Sequence, residues 1–241
     1  MKYCPKCLSE YANEDQKFCG SDGSALASKA TGGDSFPASP VSPSEIVLLC
    51  ADKFADFPGL SSSRPQHLSL MMMSAMVLSA EHAGYIHLQS EPRGKTFMHT
   101  NRLHVRVGST TRRWPQWSME DKLCSLLAQA GTANLDDLIY RLWERDFKRD
   151  VPGSWAYGRM LVMQGLVGRD LIRVSADWET YQVHESLAGI TSPPTFQPLR
   201  QLFSETMQRR PEVWAALQWD INYGVCKRAE QNSTFAIRLP F

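Results

Sequence analysis

Cysteine spacing constrains this chain more than any other feature. Cys4-Pro5-Lys6-Cys7 and Cys19-Gly20-Ser21-Asp22 form two half-sites separated by eleven residues. Each half-site suits a short turn whose backbone N–H groups face the ligand atoms. Two such turns complete a tetrahedron of soft donors, the geometry of structural zinc. Three thiolates and one carboxylate make a workable set, because an Asp oxygen binds zinc at about 2.0–2.2 Å and a Cys sulfur at about 2.3 Å. Cys4, Cys7, Cys19 and Asp22 are therefore the expected ligands of one Zn2+ cofactor. The first histidine is His67, so no imidazole competes nearby. The alternatives are a redox Cys-x-x-Cys pair, which usually opens a helix in a βαβ setting not readable here, and a ribbon that has lost its metal.

Residues 3–26 resemble the short zinc ribbon at the amino terminus of many bacterial multidomain proteins, of the form C-P-x-C, then F-C-x-x-C/D-G-x-x-L. Tyr3, Cys4, Pro5, Cys7, Phe18, Cys19, Asp22, Gly23 and Leu26 match it, whereas Leu8 stands where a small residue usually follows the second cysteine. The resemblance implies a structural ribbon used for contacts with a protein partner. With four protein ligands, no position is open to water or substrate. A module of about 25 residues buries too little apolar surface to fold alone, so the metal is expected to supply its folding energy.

The expected organisation is a ribbon over residues 1–26, a flexible linker over 27–41, a helical domain over 42–230 and a carboxy-terminal tail over 231–241. The linker is rich in Gly, Ser and Pro, and as a random coil it would span roughly 20 Å. At 241 residues the chain has room for one sizeable domain beside the ribbon, and its formal net charge of +1 gives no global attraction to nucleic acid. Cys50, Cys124 and Cys226 lie singly in apolar helical patterns, where buried free thiols are expected. The longest apolar run, Leu68 to Ala80, is too short for a bilayer span of about 20 residues. No signal peptide precedes Cys4, and the expected address is cytoplasmic.

The expected fold class is mainly α, with small β-hairpins. Ser42, Pro43 and Glu45 make a capping-box start for a helix running through Phe54 and stopping before Pro58-Gly59. A second helix, about Gln66 to Ala83, is apolar on nearly every side; its Met71-Met72-Met73 run reads as the buried centre of the domain, with a pliable binding surface as the alternative. From Tyr85 the period changes to two, predicting strands over Tyr85–Gln89 and Arg102–Val107. Helices are then expected from Ser118 to Ala130, from Asn134 onward, and from about Pro152 to Gly165. A hairpin over 171–174 and 181–184 follows, so this segment is winged-helix-like. Two more helices, Gln197–Arg209 and Pro211–Arg228, close the domain, and the tail is expected to be extended.

Charge is uneven only locally. Between Glu91 and Arg113 lie six basic residues, Arg93, Lys95, Arg102, Arg106, Arg112 and Arg113, against one acid, with Trp114 and Trp117 next in the chain. Cations beside tryptophans suit an anionic membrane surface, each Lys or Arg contributing about 1 kcal/mol. The competing reading is a solvated hairpin face beside two core anchors. Residues 118–184 carry eight Lys/Arg against ten Asp/Glu, which opposes DNA binding by the winged segment.

The order of elements from residue 44 to 230 is similar to that of the Golgi phosphoprotein family of peripheral membrane proteins. The similarity rests on Ser44-Glu45-Ile46-Val47-Leu48-Leu49, on Ala75-Met76-Val77-Leu78 before Gly84-Tyr85-Ile86-His87-Leu88, on Asp137-Leu138-Ile139-Tyr140-Arg141-Leu142, and on the run from Met160 to Val167. It implies a mostly helical domain that binds membranes as an adaptor. The positions of that family's phosphate-binding arginines hold Met73, Val151 and Ser154, so phosphoinositide binding does not carry over.

An enzyme needs a convergent acid, base or nucleophile with an orienting partner. The six histidines show no ligand spacing, and neither a Gly-rich phosphate loop nor a serine elbow is present. The expected function is a non-catalytic zinc-ribbon adaptor, its body able to associate peripherally with anionic membrane. The alternatives are a winged-helix nucleic-acid-binding regulator and a protein-interaction scaffold.

Overall fold

A computed structural model describes residues 2–3, 10–11, 16, 27–28, 40–58, 64–92, 101–109, 114–146, 156–176 and 178–236. The chain divides into two compact units, Met1–Ala38 and Ser39–Phe241. In the first, β1 (Lys2–Tyr3) lies between β2 (Glu10–Tyr11) and β3 (Ala27–Ser28), both antiparallel to it. β3 occupies the first two residues of the segment read as linker.

The second unit is mainly helical, with small antiparallel sheets, as its sequence periods predict. Helix α1 (Pro43–Leu49) opens as expected: Pro43 occupies the first turn, and the Glu45 carboxylate accepts the Ser42 backbone N–H at 2.7 Å. It ends five residues earlier than expected. Cys50 leaves helical geometry, and a 3-10 turn over Ala51–Lys53 brings Phe54 into a ring cluster with Phe57 and Phe203, centroids 5.3–6.2 Å apart. The Arg200 guanidinium closes that bend, donating to the Lys53 carbonyl and to both Asp56 carboxylate oxygens.

Helix α2 (Arg64–His82) is the centre of the unit. Met71, Met72 and Met73 are at most 1% exposed, and Leu70 and Ala75 to Leu78 are equally buried. The methionine run is core and not a binding surface. A helix apolar all round has no solvent face to offer, so helices must cover it on several sides; α1, α3, α5, α6 and α7 all contact it. Burying each such side chain contributes about 1.5–3 kcal/mol. Of its buried serines, Ser79 donates within the helix to the Met76 carbonyl, and Ser74 accepts from Gln218 Nε2, far along the chain, at 3.0 Å.

Strands β4 (Ile86–Pro92) and β5 (Asn101–Val107) form the predicted antiparallel pair, in register Ile86 with Val107 through Pro92 with Asn101. Leu103 and Val105 point into the core at 0% exposure, while Arg102, His104 and Arg106 occupy the other face. Gly108 is required where this hairpin leaves α2. A Cβ there would sit 2.0 Å from the Gly84 carbonyl oxygen, and the Gly108 N–H donates to the Tyr85 carbonyl at 2.6 Å.

Helix α3 (Met119–Ala130) is capped by Ser118, whose Oγ accepts the Asp121 N–H, and ends at Gly131. Short β6 (Thr132–Asn134) joins the edge of β5, and α4 (Leu135–Asp146) follows, with Leu135, Leu138, Ile139 and Leu142 buried. Helix α5 (Ala156–Val167) leads into the hairpin β7 (Ile172–Val174) and β8 (Tyr181–Val183). This is the expected order of three helices and a wing, with β6 tied to the upstream hairpin.

Helix α6 (Pro193–Arg209) starts four residues before the expected Gln197. Pro193 and Pro194 are breakers inside a helix, but in the first turn no N–H partner is lost. Helix α7 (Pro211–Ala236) extends into residues expected to be an extended tail. No helix of the described residues is long and apolar enough to cross a membrane.

Candidate functional site

The expected zinc ligands Cys4, Cys7, Cys19 and Asp22 lie outside the described residues, as do Arg93, Lys95, Arg112 and Arg113. Among the described residues no cluster of three or more His, Cys, Asp or Glu is arranged to hold a metal ion. Cys50, Cys124 and Cys226 are free thiols. Burial pushes the Cys50 thiol up to about 11, and burial with the neighbouring Glu120 charge pushes Cys124 up to about 12. Both stay protonated at neutral pH and are poor nucleophiles.

The two described members of the basic stretch are differently placed. Arg102 Nη2 donates to Asp136 Oδ2 at 2.7 Å, and that carboxylate is wholly buried at the start of α4. This hydrogen bond and the Asp136 charge raise the Arg102 pKa further. Arg102 is thus the counter-ion of Asp136, and its side chain keeps 38% of its surface exposed. Arg106, four residues on along the same face, is exposed and stands beside Val107, itself 47% exposed at the strand end.

The two tryptophans also separate. Trp114 is a core anchor, 8% exposed, its ring 5.5 Å from that of Tyr85. Trp117 is not; it is 46% exposed and takes φ 65°, a conformation that side chains rarely adopt. Its N–H is held by Asp121 Oδ2 at 3.1 Å, and its ring lies over Gly168, where a Cβ would come within 2.7 Å of the indole. No periodicity rule anticipates a tryptophan placed by a positive φ.

Between the end of the β4–β5 hairpin, the Trp114 segment and α3 lies a cavity of about 570 Å³. That volume falls in the range of small-molecule sites, about 300–1,000 Å³. Tyr85 and Trp114 are among its lining residues, Val107 and Leu127 are apolar, and Gln116, Asp121, Cys124 and Ser125 supply polar groups. The pocket was not legible in the sequence, because its walls come from four separated stretches joined by the Gly108 contact.

A second constellation lies around the start of α1. Glu45 and Glu120 are both fully buried. Burial pushes the Glu45 carboxyl up to about 7 despite its ion pair with Arg169, and burial likewise raises that of Glu120. Glu120 accepts from the Ser44 N–H at 2.7 Å and from Ser44 Oγ at 2.9 Å. Arg169 also donates to the Gly165 and Pro40 carbonyls, tying the entry of the domain to the end of α5. Glu45 is committed to the Ser42 N–H and the Arg169 guanidinium, and Glu120 to the Ser44 N–H and hydroxyl, so the cluster organises the fold.

No family model, curated protein or solved structure matches the chain.

Proposed function

We propose that the protein is a non-catalytic adaptor. Its zinc ribbon, with Cys4, Cys7, Cys19 and Asp22 as ligands, is a tethered contact module for a protein partner. Its helical body, similar in element order to the Golgi phosphoproteins, associates peripherally with anionic membrane surfaces. The observation that carries the membrane part is exposed Arg106 beside exposed Val107 at the end of β5. A cation next to accessible apolar surface is the pairing that an anionic interface recognises. Arg93, Lys95, Arg112 and Arg113 belong to the same basic stretch and are proposed to add to the attraction.

Flotation with neutral and anionic vesicles at low salt tests the membrane part: recovery is expected only with the anionic vesicles, and equal recovery overturns it. Zinc content of wild type, Cys19→Ser and Asp22→Ala tests the ribbon, with one zinc expected in the wild type and none in either variant.

The order α3, α4, α5, β7, β8 favours nucleic-acid binding as a second reading. Two contacts weigh against it. The guanidinium of Arg159 on α5 is bonded to the Glu179 carbonyl between the wing strands, and β6 pairs with β5. A mobility shift at low salt that weakens steeply as salt is added would favour this reading over the membrane one.

A further inference from the structure

We propose that the cavity between Tyr85, Trp114 and α3 binds an organic ammonium ion carrying a small apolar body. Three observations select this class. First, Asp121 carries the only formal charge among the described lining residues, so an anion meets repulsion there and a cation meets a counter-charge. One Asp121 oxygen is engaged by the Trp117 N–H. The partial positive charge at the amino end of α3, about half a unit, is smaller than the carboxylate's full charge. Second, Tyr85 and Trp114 both line the cavity and lie ring to ring, centroids 5.5 Å apart and planes inclined at 37°, and indole and phenol rings attract cations through their quadrupoles. Third, Ile86, Val107, Leu127 and Ala128 give the remainder of the cavity an apolar lining that suits hydrocarbon. The Cys124 thiol, neutral because burial raises it, adds no second charge.

The inference is independent of the adaptor reading, since it needs neither Arg106 nor the ribbon. An ammonium group of this kind can come from a free amine or from a zwitterionic lipid headgroup, and the test separates the two. Calorimetric titration of the full chain uses benzyltrimethylammonium and its neutral isostere, in which carbon replaces nitrogen. Saturable binding of the cation alone is expected. Asp121→Asn, which retains an oxygen for the Trp117 N–H, should weaken binding about fivefold to tenfold. Ala128→Phe should abolish it by filling the cavity. Equal binding of the isostere, undiminished binding by Asp121→Asn, or no binding of the cation overturns the proposal. The isostere comparison uses wild-type protein, so it stands even where a variant folds poorly. With binding of the cation in hand, titration of soluble phosphocholine beside choline assigns the group to a headgroup if phosphocholine binds as tightly as choline, and to a free amine if only choline binds. In either case Asp121→Asn should leave flotation with anionic vesicles undiminished, which distinguishes failure here from failure of the membrane reading.

Discussion

Arg102 and Arg106 stand on one face of one strand, yet they have different work. Arg102 reaches the amino end of α4 and neutralises Asp136, a carboxylate with no solvent exposure of its own. Arg106 lies opposite His87 and Thr132, neither of which offers a counter-charge, and its side chain faces water. The lesson is that a count of basic residues overstates the charge available for binding. Arg102, four residues from Arg106, has part of its charge taken up by the acid that the fold places beneath it. Arg169 and Arg159 extend the point: the first serves Glu45 and two carbonyls, the second the wing backbone.

The comparison is broken most forcefully at Arg102. Arg102→Ala leaves Asp136 buried without its counter-ion, and denaturant unfolding should show a loss of about 2–3 kcal/mol, below the full buried-pair value because Arg102 is part exposed. If stability is unchanged, the pair with Asp136 contributes nothing to the fold, and Arg102 is as available to an anionic surface as Arg106.

Glu45 sharpens the comparison, because here burial outweighs the partnering arginine. Its folded pKa, about 7, lies above the unfolded value near 4.5, so the folded state binds the extra proton between them. The carboxyl's contribution is therefore most favourable below about pH 4.5 and is lost progressively as pH rises to 7. Stability set by this group should increase as pH falls from 8 to 5.5, by at most about 2 kcal/mol. Glu45→Gln should flatten most of that slope, with a residue in the same direction from Glu120. A profile equally steep in the variant would place the titration elsewhere.

Arg159→Ala should have a smaller effect, about 1 kcal/mol or less, since it removes a partly exposed contact to the wing. Thermal unfolding with and without the substitution measures it. Arg106→Glu should change stability least, within about 0.5 kcal/mol, as an exposed substitution does. It should nevertheless reduce flotation with anionic vesicles. A variant that floats as wild type removes Arg106 from the membrane face.

Much of the fold was legible because its signals are local. The Ser42-Pro43-Glu45 start, the two-residue alternation of Leu103 and Val105, and the Ser118 and Gly131 ends of α3 each depend on a few neighbouring residues. The all-round apolar character of residues 68–80 also sufficed to bury the methionines of α2. What escaped were features decided by distant partners. α1 stops at Leu49 because Arg200 and the Phe57–Phe203 rings draw the next residues into a bend. α6 begins at Pro193 and not at the expected Gln197, because its prolines fit a first turn that no local pattern locates.

The sequence by itself determined the helical class, the order of the elements and the spacing of Cys4, Cys7, Cys19 and Asp22, since periodicity, caps and ligand spacing are properties of adjacent residues. Only the tertiary structure decided which charges are free. Arg102 and Asp136 are 34 positions apart, Glu45 and Arg169 124 apart, and the cavity walls are assembled from Tyr85, Val107, Trp114 and α3. Coulomb attraction and desolvation act through space, and no local pattern records where the chain's return will place a counter-ion.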